Sequence, residues 1–317
     1  MDIVAGSAYL PERVADNNYF SQLTGRAPEW FERATGIARR RRAGPEENTN
    51  TMAIAAVALL QESSGLDLSD IDLVVGASYT PWDTVGTMAH AVQRHFGLAG
   101  AKAIYLSTAC SSFINAMELA AAYIETGRCR RALIVAAEHN SLYADDRDEQ
   151  AGHLWGDAAT AMVVEAHVPG GAAALRVLDI TSRGLADIGM GPGGVYLQPR
   201  SAGLVMPYGK DVFQHACREM ETTARTMLGR HGLSIADIRL LVPHQANDRI
   251  ITQIAGRLGV DDAQVARTIH ELGNTGCAST AITLLRHQHL LTPGDVVMLV
   301  TFGGGYSTGC ALLRCER

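Results

Sequence analysis

The sequence lacks the features that mark membrane, secreted and nucleic-acid-binding proteins. No run of about 18 apolar residues occurs, and the opening residues MDIVAGSAYLPERV contain no apolar region preceded by basic residues, as a secretory signal would. The net charge of -6 comes from interspersed acidic and basic side chains, which do not indicate a basic surface for nucleic acid. We therefore expect a cytoplasmic protein that binds neither nucleic acid nor a membrane.

Cysteine is sparse and irregularly spaced. The six cysteines include no CxxC pair, and in a chain of 317 residues they indicate neither a disulfide framework nor a zinc site. We expect free thiols and no bound metal. The glycine-rich stretch GMGPGGVY is interrupted by a proline, and we interpret it as a turn rather than as a nucleotide-binding loop.

Apolar runs typical of buried strands alternate with segments of helical periodicity. The strand-like runs are DLVVGASY, RALIVAAE, TAMVVEA, RLLVPHQA and DVVMLVTF, and INAMELAAAYIETG is one of the helical segments between them. Such alternation predicts an α/β protein with largely buried sheets.

An internal repeat divides the chain. The stretch GLDLSDIDLVV begins at Gly65 and GLSIADIRLLV begins at Gly232, an offset of 232 − 65 = 167 residues. The same offset places TACSS, residues 108–112, over TGCAS, residues 275–279. Two matches at one offset predict a duplication. We expect two α/β halves, residues 1–165 and 166–317, related by a pseudo-twofold axis.

Cys110 lies at the predicted start of a helix, where backbone N–H groups stabilise a thiolate and would lower the pKa of the thiol. A lone buried cysteine is, however, more often a small apolar filler. A nucleophile needs partners, and the second half supplies His244 and Asn274 close to strand ends. Alone, His244 could be a core histidine and Asn274 an N-cap. Together, the three residues favour catalysis.

Four motifs, TACSS, PHQANDRI, GNTGCAS and FGGGYSTG, follow one another in an order and spacing that resembles the β-ketoacyl-acyl carrier protein (ACP) synthase III family of the thiolase superfamily. The resemblance covers nearly the whole chain and includes EWFERATGIARRRRA, WGDAATAMVVE and GKDVFQHA. It implies a thiolase fold with five layers, αβαβα, and an acyltransferase that forms a carbon–carbon bond.

The resemblance also implies a role for each motif. Cys110 would take an acyl group from acyl-CoA or acyl-ACP, and His244 and Asn274 would promote decarboxylative condensation with a malonyl or β-ketoacyl thioester. The backbone N–H groups of Cys110 and Gly304 would form the oxyanion hole. The reaction would serve fatty acid initiation or a specialised polyketide-like pathway. It needs no metal or redox cofactor, only thioesters of coenzyme A or phosphopantetheine, and the family is homodimeric.

By the same resemblance, five residues would contact the substrate. Trp30 would stack on the adenine of coenzyme A, Phe213 and Asn247 would line the pantetheine tunnel, Arg249 would lie near its mouth, and Val85 would close the acyl pocket of the partner subunit.

Some positions depart from the family. Ala34 and Glu149 replace two arginines, which should weaken the grip on the nucleotide of coenzyme A and favour acyl-ACP. Val85 is smaller than the usual aromatic side chain and could leave room for a longer or bulkier acyl group. The basic run at residues 39–42 is expected to be a solvated face, with docking of an acidic carrier as the alternative.

Two other functions remain open at this point. A thiolase-fold acyltransferase in secondary metabolism would pass the acyl group from Cys110 to an amine or alcohol without condensation, although His244 and Asn274 argue against it. A cysteine hydrolase is less consistent with the sequence. The order Cys, His, Asn is also found in papain-like proteases, but their local signature is missing and the duplication has no place in their fold.

Overall fold

The structure, a computed structural model, describes residues 1–168 and 174–316, which form thirteen strands and nine α-helices. The strands are β1 (Asp2–Tyr9), β2 (Arg13–Asp16), β3 (Arg39–Arg42), β4 (Leu73–Ala77), β5 (Lys102–Leu106), β6 (Arg131–Glu138), β7 (Ala158–Glu165), β8 (Leu175–Gly184), β9 (Tyr196–Gln198), β10 (Gly203–Val205), β11 (Ile238–Pro243), β12 (Val296–Gly303) and β13 (Ser307–Cys315). The helices are α1 (Asn17–Thr24), α2 (Pro28–Thr35), α3 (Thr49–Ser64), α4 (Met88–His95), α5 (Ser112–Glu125), α6 (Gly209–Arg230), α7 (Asp248–Leu258), α8 (Ile269–Leu272) and α9 (Ser279–His287).

The main sheet has two parts with the same strand order. Its nine strands run β11-β12-β13-β8-β1-β7-β6-β4-β5. Only two residue pairs, Asp2–Arg176 and Ile3–Leu175, join β1 to β8 and so connect the parts. In the first part β4 pairs in parallel with β5 and β6, and in the second β11 pairs in parallel with β12. The predicted duplication is therefore confirmed in the topology.

The helices form three layers around the two parts of the sheet. Apolar residues of α5 and α9 pack with strands of both halves in one central core. Helices α3 and α4 cover the outer face of the first part, and α6 and α7 cover that of the second. This is the predicted five-layer order, αβαβα. The predicted boundary after residue 165 coincides with the end of β7, and the division into two domains there stays a prediction.

No helix within residues 1–168 and 174–316 is long and apolar enough to span a bilayer.

The prediction that residues 39–42 form a solvated face is wrong. These residues form β3, which pairs with β2, and the alternation of a strand turns every second side chain inward. Arg40 and Arg42 are only 0% and 4% exposed. The Arg40 guanidinium donates to Asn17 Oδ1 at 2.8 Å, and Arg42 forms an ion pair with Asp146 at 2.7 Å. Burial lowers the pKa of Arg40 to about 9.

Candidate active site

A largely apolar cavity of about 110 Å³ is lined by residues of both halves. Four of the residues predicted for catalysis lie on its wall: Cys110, His244, Asn274 and Gly304. Each of the four residues lies in a loop next to the end of a strand or helix, and these loops meet at the cavity. The structure therefore brings together residues that are far apart in the sequence.

Cys110 lies in a tight turn before α5. Its neighbour Ala109 has a φ of 51°, in the left-handed region that residues with a Cβ seldom adopt. Ser112 stabilises the turn, because its Oγ accepts from the Thr108 N–H at 2.8 Å and donates to the Ala109 carbonyl at 2.6 Å. A Cβ at Gly303 would lie 2.8 Å from the Cys110 nitrogen, so only glycine allows β12 to approach this turn.

Burial controls the ionisation of Cys110. It raises the pKa of the thiol to about 12, and the nearby Glu138 carboxyl acts in the same direction, whereas a hydrogen bond with the Tyr79 hydroxyl lowers the pKa. The prediction that the helix N-terminus lowers the pKa of Cys110 is wrong, because burial raises this pKa instead. Cys110 is therefore a protonated thiol at neutral pH in the resting chain.

His244 directly follows β11 and is held in one orientation. Its backbone N–H donates to the Val300 carbonyl at 2.8 Å, and its Nδ1 lies 2.7 Å from Ser279 Oγ. Ser279 Oγ also accepts from the Gln245 N–H at 3.4 Å, and we assign its own proton to the bond with Nδ1. The Nε2 atom then carries the ring proton. Burial lowers the pKa of His244 to about 4, so the ring is neutral at physiological pH.

Asn274 is fixed through its backbone and its side-chain carbonyl. Its N–H donates to the Leu154 carbonyl at 2.8 Å, and its carbonyl accepts from the Gly156 N–H at 2.9 Å. Its Oδ1 accepts from the Gly276 N–H at 2.9 Å. This contact resembles the capping role that was one alternative for Asn274. It leaves the two Nδ2 protons as the donors that this side chain can offer to the cavity.

Gly304 follows β12 and packs closely against the loop that carries Val195. A Cβ at Gly304 would lie 3.0 Å from the Val195 carbonyl oxygen and 3.6 Å from the Cβ of Ala109. The backbone of Gly304 therefore borders the same part of the cavity as the turn that carries Cys110.

Two family models match this chain, that of 3-oxoacyl-ACP synthase III over residues 105–184 and that of the C-terminal part of the same enzyme over residues 228–315. The chain is also 37% identical over 318 residues to the β-ketoacyl-ACP synthase III of Nitratidesulfovibrio vulgaris (strain DP4), with 97% of this chain and 96% of the relative covered. The chain belongs to the β-ketoacyl-ACP synthase III family. As a member, it is an acyltransferase, and the predicted enzyme class is confirmed.

Solved structures agree with this assignment to the β-ketoacyl-ACP synthase III family. The chain is similar to 3-oxoacyl-ACP synthase III from Aquifex aeolicus VF5, with a TM-score of 0.91, 30% identity and 99% of each chain covered. It is also similar to the priming β-ketosynthase of the R1128 polyketide biosynthetic pathway, with a TM-score of 0.89, 31% identity, and 99% of this chain and 96% of that chain covered. The predicted thiolase fold is confirmed.

The residues predicted to bind the substrate of a β-ketoacyl-ACP synthase III do not line the cavity itself. Asn247 and Arg249 lie at the start of α7, where Asn247 Nδ2 donates to the Ala34 carbonyl at 3.5 Å and Arg249 donates to the Arg33 carbonyl at 3.1 Å. These bonds tie α7 to α2. Ala246, which precedes Asn247, and Ile250, which follows Arg249, do line the cavity.

The remaining predicted contacts are also peripheral. Phe213 packs in the outer core of the second half, while its neighbour Val212 lines the cavity. Val85 lies on a loop and is 85% exposed. Trp30 on α2 is covered on one face by a guanidinium group, because the Arg26 Cζ lies 4.4 Å from the centroid of its ring.

Arg26 was not predicted. Its guanidinium forms an ion pair with Glu149. Glu149 therefore holds the Arg26 side chain against Trp30.

Three further residues were missed by the sequence analysis. Tyr79 and Trp155 line the cavity, and within the described residues the buried Trp155 Nε1–H has no hydrogen-bond partner. Glu138 is fully buried at the end of β6, and burial raises the pKa of its carboxyl to about 7. Tyr79 and Glu138 both lie at the ends of strands predicted in the sequence, and this position was the one signal that could have identified them.

Proposed function

We propose that this β-ketoacyl-ACP synthase III family member joins an acyl group carried on Cys110 to a malonyl thioester with loss of carbon dioxide. The observation that supports this function is the meeting of Cys110, neutral His244 and Asn274 on one cavity. Acyl transfer alone requires the thiol and an oxyanion hole. The two additional donors are needed only where a second thioester must be stabilised as an enolate.

In the first step, Cys110 Sγ attacks the carbonyl carbon of the acyl donor. A carbon–sulfur bond forms to Cys110, the carbon–sulfur bond to the carrier breaks, and the carrier leaves as a thiol with the proton that Cys110 gives up. The N–H groups of Cys110 and Gly304 donate hydrogen bonds that stabilise the negative charge developing on the carbonyl oxygen. The product is a thioester on the enzyme and stays reactive toward a carbon nucleophile.

In the second step, His244 Nε2–H and Asn274 Nδ2–H donate to the carbonyl oxygen of the malonyl thioester. The carboxylate leaves as carbon dioxide, and its bonding electrons form an enolate. The enolate carbon attacks the acyl carbonyl on Cys110, and the expelled Cys110 thiolate takes a proton from solvent. A neutral His244 can fill this role, because one of its ring nitrogens still carries a proton that it can donate in a hydrogen bond.

We also propose that the first acyl donor is acyl-ACP rather than acyl-CoA. A guanidinium group already stacks on Trp30, and it is held there by Glu149. Adenine would have to displace Arg26 from this face. The phosphopantetheine arm, which both donors share, would pass between α2 and α7, along Phe213, Asn247 and Arg249.

The enzyme would act as a homodimer, in which Val85 closes the acyl pocket of the partner. The 85% exposure of Val85 in the single chain supports this role, since such exposure leaves an apolar side chain available to a partner. A valine here would admit a longer or bulkier acyl group than an aromatic residue. The Val85→Phe variant should therefore shorten the longest acyl chain that the enzyme accepts.

Intact-protein mass spectrometry tests the proposed reaction. Wild type, Cys110→Ala and the control Cys217→Ala would be incubated with matched acyl-CoA and acyl-ACP donors and then with malonyl-ACP. We expect a mass gain in wild type and Cys217→Ala alone, greater with acyl-ACP, followed by its discharge with release of carbon dioxide. Equal labelling of Cys110→Ala would refute the assignment of the nucleophile. Discharge to an amine or alcohol without carbon dioxide would support acyl transfer without condensation.

A further inference from the structure

A tyrosine hydroxyl lies beside the nucleophile in an otherwise largely apolar cavity. Tyr79 follows β4 and lines the cavity with Cys110, and its hydroxyl acts to lower the pKa of the Cys110 thiol. The same hydroxyl donates to Asn140 Oδ1 at 2.7 Å. Asn140 is fully buried, and its Nδ2 donates to the Gly156 carbonyl at 2.8 Å and to the Asn274 carbonyl at 3.3 Å. Asn140 therefore links the Tyr79 hydroxyl to the backbone that carries Asn274.

The surrounding residues place this hydroxyl accurately. The Tyr79 N–H lies 3.3 Å from each carboxyl oxygen of buried Glu138, which also accepts from Ser78 Oγ at 2.9 Å. On the other side, a Cβ at Gly276 would lie 2.6 Å from the Tyr79 hydroxyl oxygen and 2.7 Å from Glu138 Cγ. The space for the hydroxyl therefore exists because residue 276 is glycine.

The tyrosine hydroxyl has one proton, and two groups compete for it. While Cys110 is a thiol, its S–H can donate to the Tyr79 oxygen, and Tyr79 donates to Asn140. When negative charge develops on sulfur, rotation about the C–O bond lets Tyr79 donate to the sulfur instead. A hydrogen bond to an ionised group is roughly twice as strong as one between neutral groups. It is worth more in an apolar surrounding such as this cavity than in water.

We propose that Tyr79 is a catalytic residue whose hydroxyl donates a hydrogen bond to the Cys110 sulfur while that atom carries negative charge. In the two steps proposed above, on which this catalytic role rests, the sulfur carries negative charge as it gives up its proton, before its bond to the acyl carbon is complete, and again when it is expelled during condensation. Tyr79 transfers no proton in either step. The thiol proton still leaves with the carrier thiol, and the electron balance of each step is unchanged.

The direct test is the rate at which iodoacetamide alkylates Cys110, followed by intact mass as a function of pH. Removing the hydroxyl in Tyr79→Phe should slow alkylation about tenfold at a fixed pH, the change that one unit of pKa produces. Tyr105→Phe is the matched control, because the Tyr105 hydroxyl donates to the Ser78 carbonyl at 2.6 Å on the same loop but does not line the cavity. Cys110→Ala gives the background from the other cysteines.

A second variant should change the rate of Cys110 alkylation in the opposite direction. Asn140→Ala removes the competing acceptor, so the Tyr79 hydroxyl donates to sulfur throughout and alkylation should become several-fold faster. This gain should vanish in the double variant with Tyr79→Phe. If Tyr79→Phe alkylates like wild type, or if Asn140→Ala slows alkylation as well, the proposal is wrong and Tyr79 only packs the loop.

The alkylation assay needs no acyl donor, so its outcome is independent of the proposed condensation. Failure of wild type to accept any acyl group would refute the proposed function while alkylation still reports on Tyr79. Conversely, acylation of wild type with unchanged alkylation of Tyr79→Phe would refute only the role of Tyr79. Thermal melting of each variant shows whether the chain is folded under the assay conditions. If Tyr79→Phe is unfolded, the sign of the Asn140→Ala effect decides.

Discussion

Cys110 in the first half and Cys277 in the second occupy equivalent turns, 167 residues apart, yet only Cys110 faces the cavity. Cys110 lines the cavity. Cys277 is fully buried, where its N–H lies 3.4 Å from Glu138 Oε1 and its thiol lies 3.4 Å from the Ala77 carbonyl. In the second turn the residue that faces the cavity is instead Asn274, three positions earlier. The same backbone thus presents a nucleophile in one half and an amide donor in the other.

The two halves also differ at the edges of the sheet. In the first half β5 forms five residue pairs with β4. At the equivalent place in the second half, the chain beside β11 forms a single bridge between Leu241 and Val265. Duplication therefore preserved the core strands and the turns that meet at the cavity. Side chains and edges were free to diverge, because neither determines how the strands pair in the core.

The largest difference in activity should appear when each of the two cysteines is replaced by alanine in turn. Cys110→Ala removes the nucleophile and should lower condensation by at least about a thousandfold. Cys277→Ala removes only a buried thiol and should retain most of the activity. Product formation from malonyl-ACP measures both. Comparable losses in the two variants would show that the halves do not differ in function as proposed.

Loss of one donor of the second half should have the next largest effect. Removing a preorganised donor typically lowers the rate by about 100- to 1000-fold, and we expect this for condensation in His244→Ala and Asn274→Ala. Acylation of Cys110 should continue, because its oxyanion hole is formed by backbone groups. Single-turnover acylation and carbon dioxide release separate the steps. A variant that loses acylation as well would contradict this division.

Burial lowers the pKa of His153 in the first half and of His244 in the second half to about 4. Between pH 6.5 and 4 the unfolded chain binds a proton at each histidine and the native chain does not, so each makes the free energy of unfolding fall as the pH falls. His153→Gln and His244→Gln should each remove up to about 1.4 kcal/mol per pH unit of this dependence. Urea unfolding of each variant and of wild type across this pH range measures the change in pH dependence. An unchanged dependence in either variant would show that its histidine is accessible to protons.

The smallest effects concern the left-handed residue of each turn. Ala109 and Gly276 are equivalent and have φ values of 51° and 58°. Gly276→Ala adds a Cβ that overlaps the Tyr79 hydroxyl and should destabilise the protein by roughly 2–3 kcal/mol. Ala109→Gly relieves the left-handed strain but gains chain entropy in the unfolded state, and should change stability by less than about 1 kcal/mol. Equal destabilisation by both changes would mean that the two turns are packed alike.

The sequence was sufficient to predict the duplication, the fold and three residues that meet at the cavity, because these depend on local motifs and on one constant offset. It failed where tertiary burial decides. The helix N-terminus predicted a low pKa for Cys110, but desolvation acts more strongly on this thiol. Arg40 was expected in solvent, but it points inward, against Asn17 and the Phe20 ring. Tyr79 belongs to no motif, and its importance depends on contacts with residues far along the chain.

The short pairing between β1 and β8 suggests how this duplicated chain arose. Within the described residues, β1 and β8 are paired at two positions, while the central helices of the two halves share one core. A single ancestral half would have left the inner face of its helix uncovered, and a second copy is the surface that matches it. On this view, gene fusion joined two identical chains that already associated. After the fusion the two copies could change independently, so that one turn kept a reactive sulfur while the equivalent turn came to hold the second substrate.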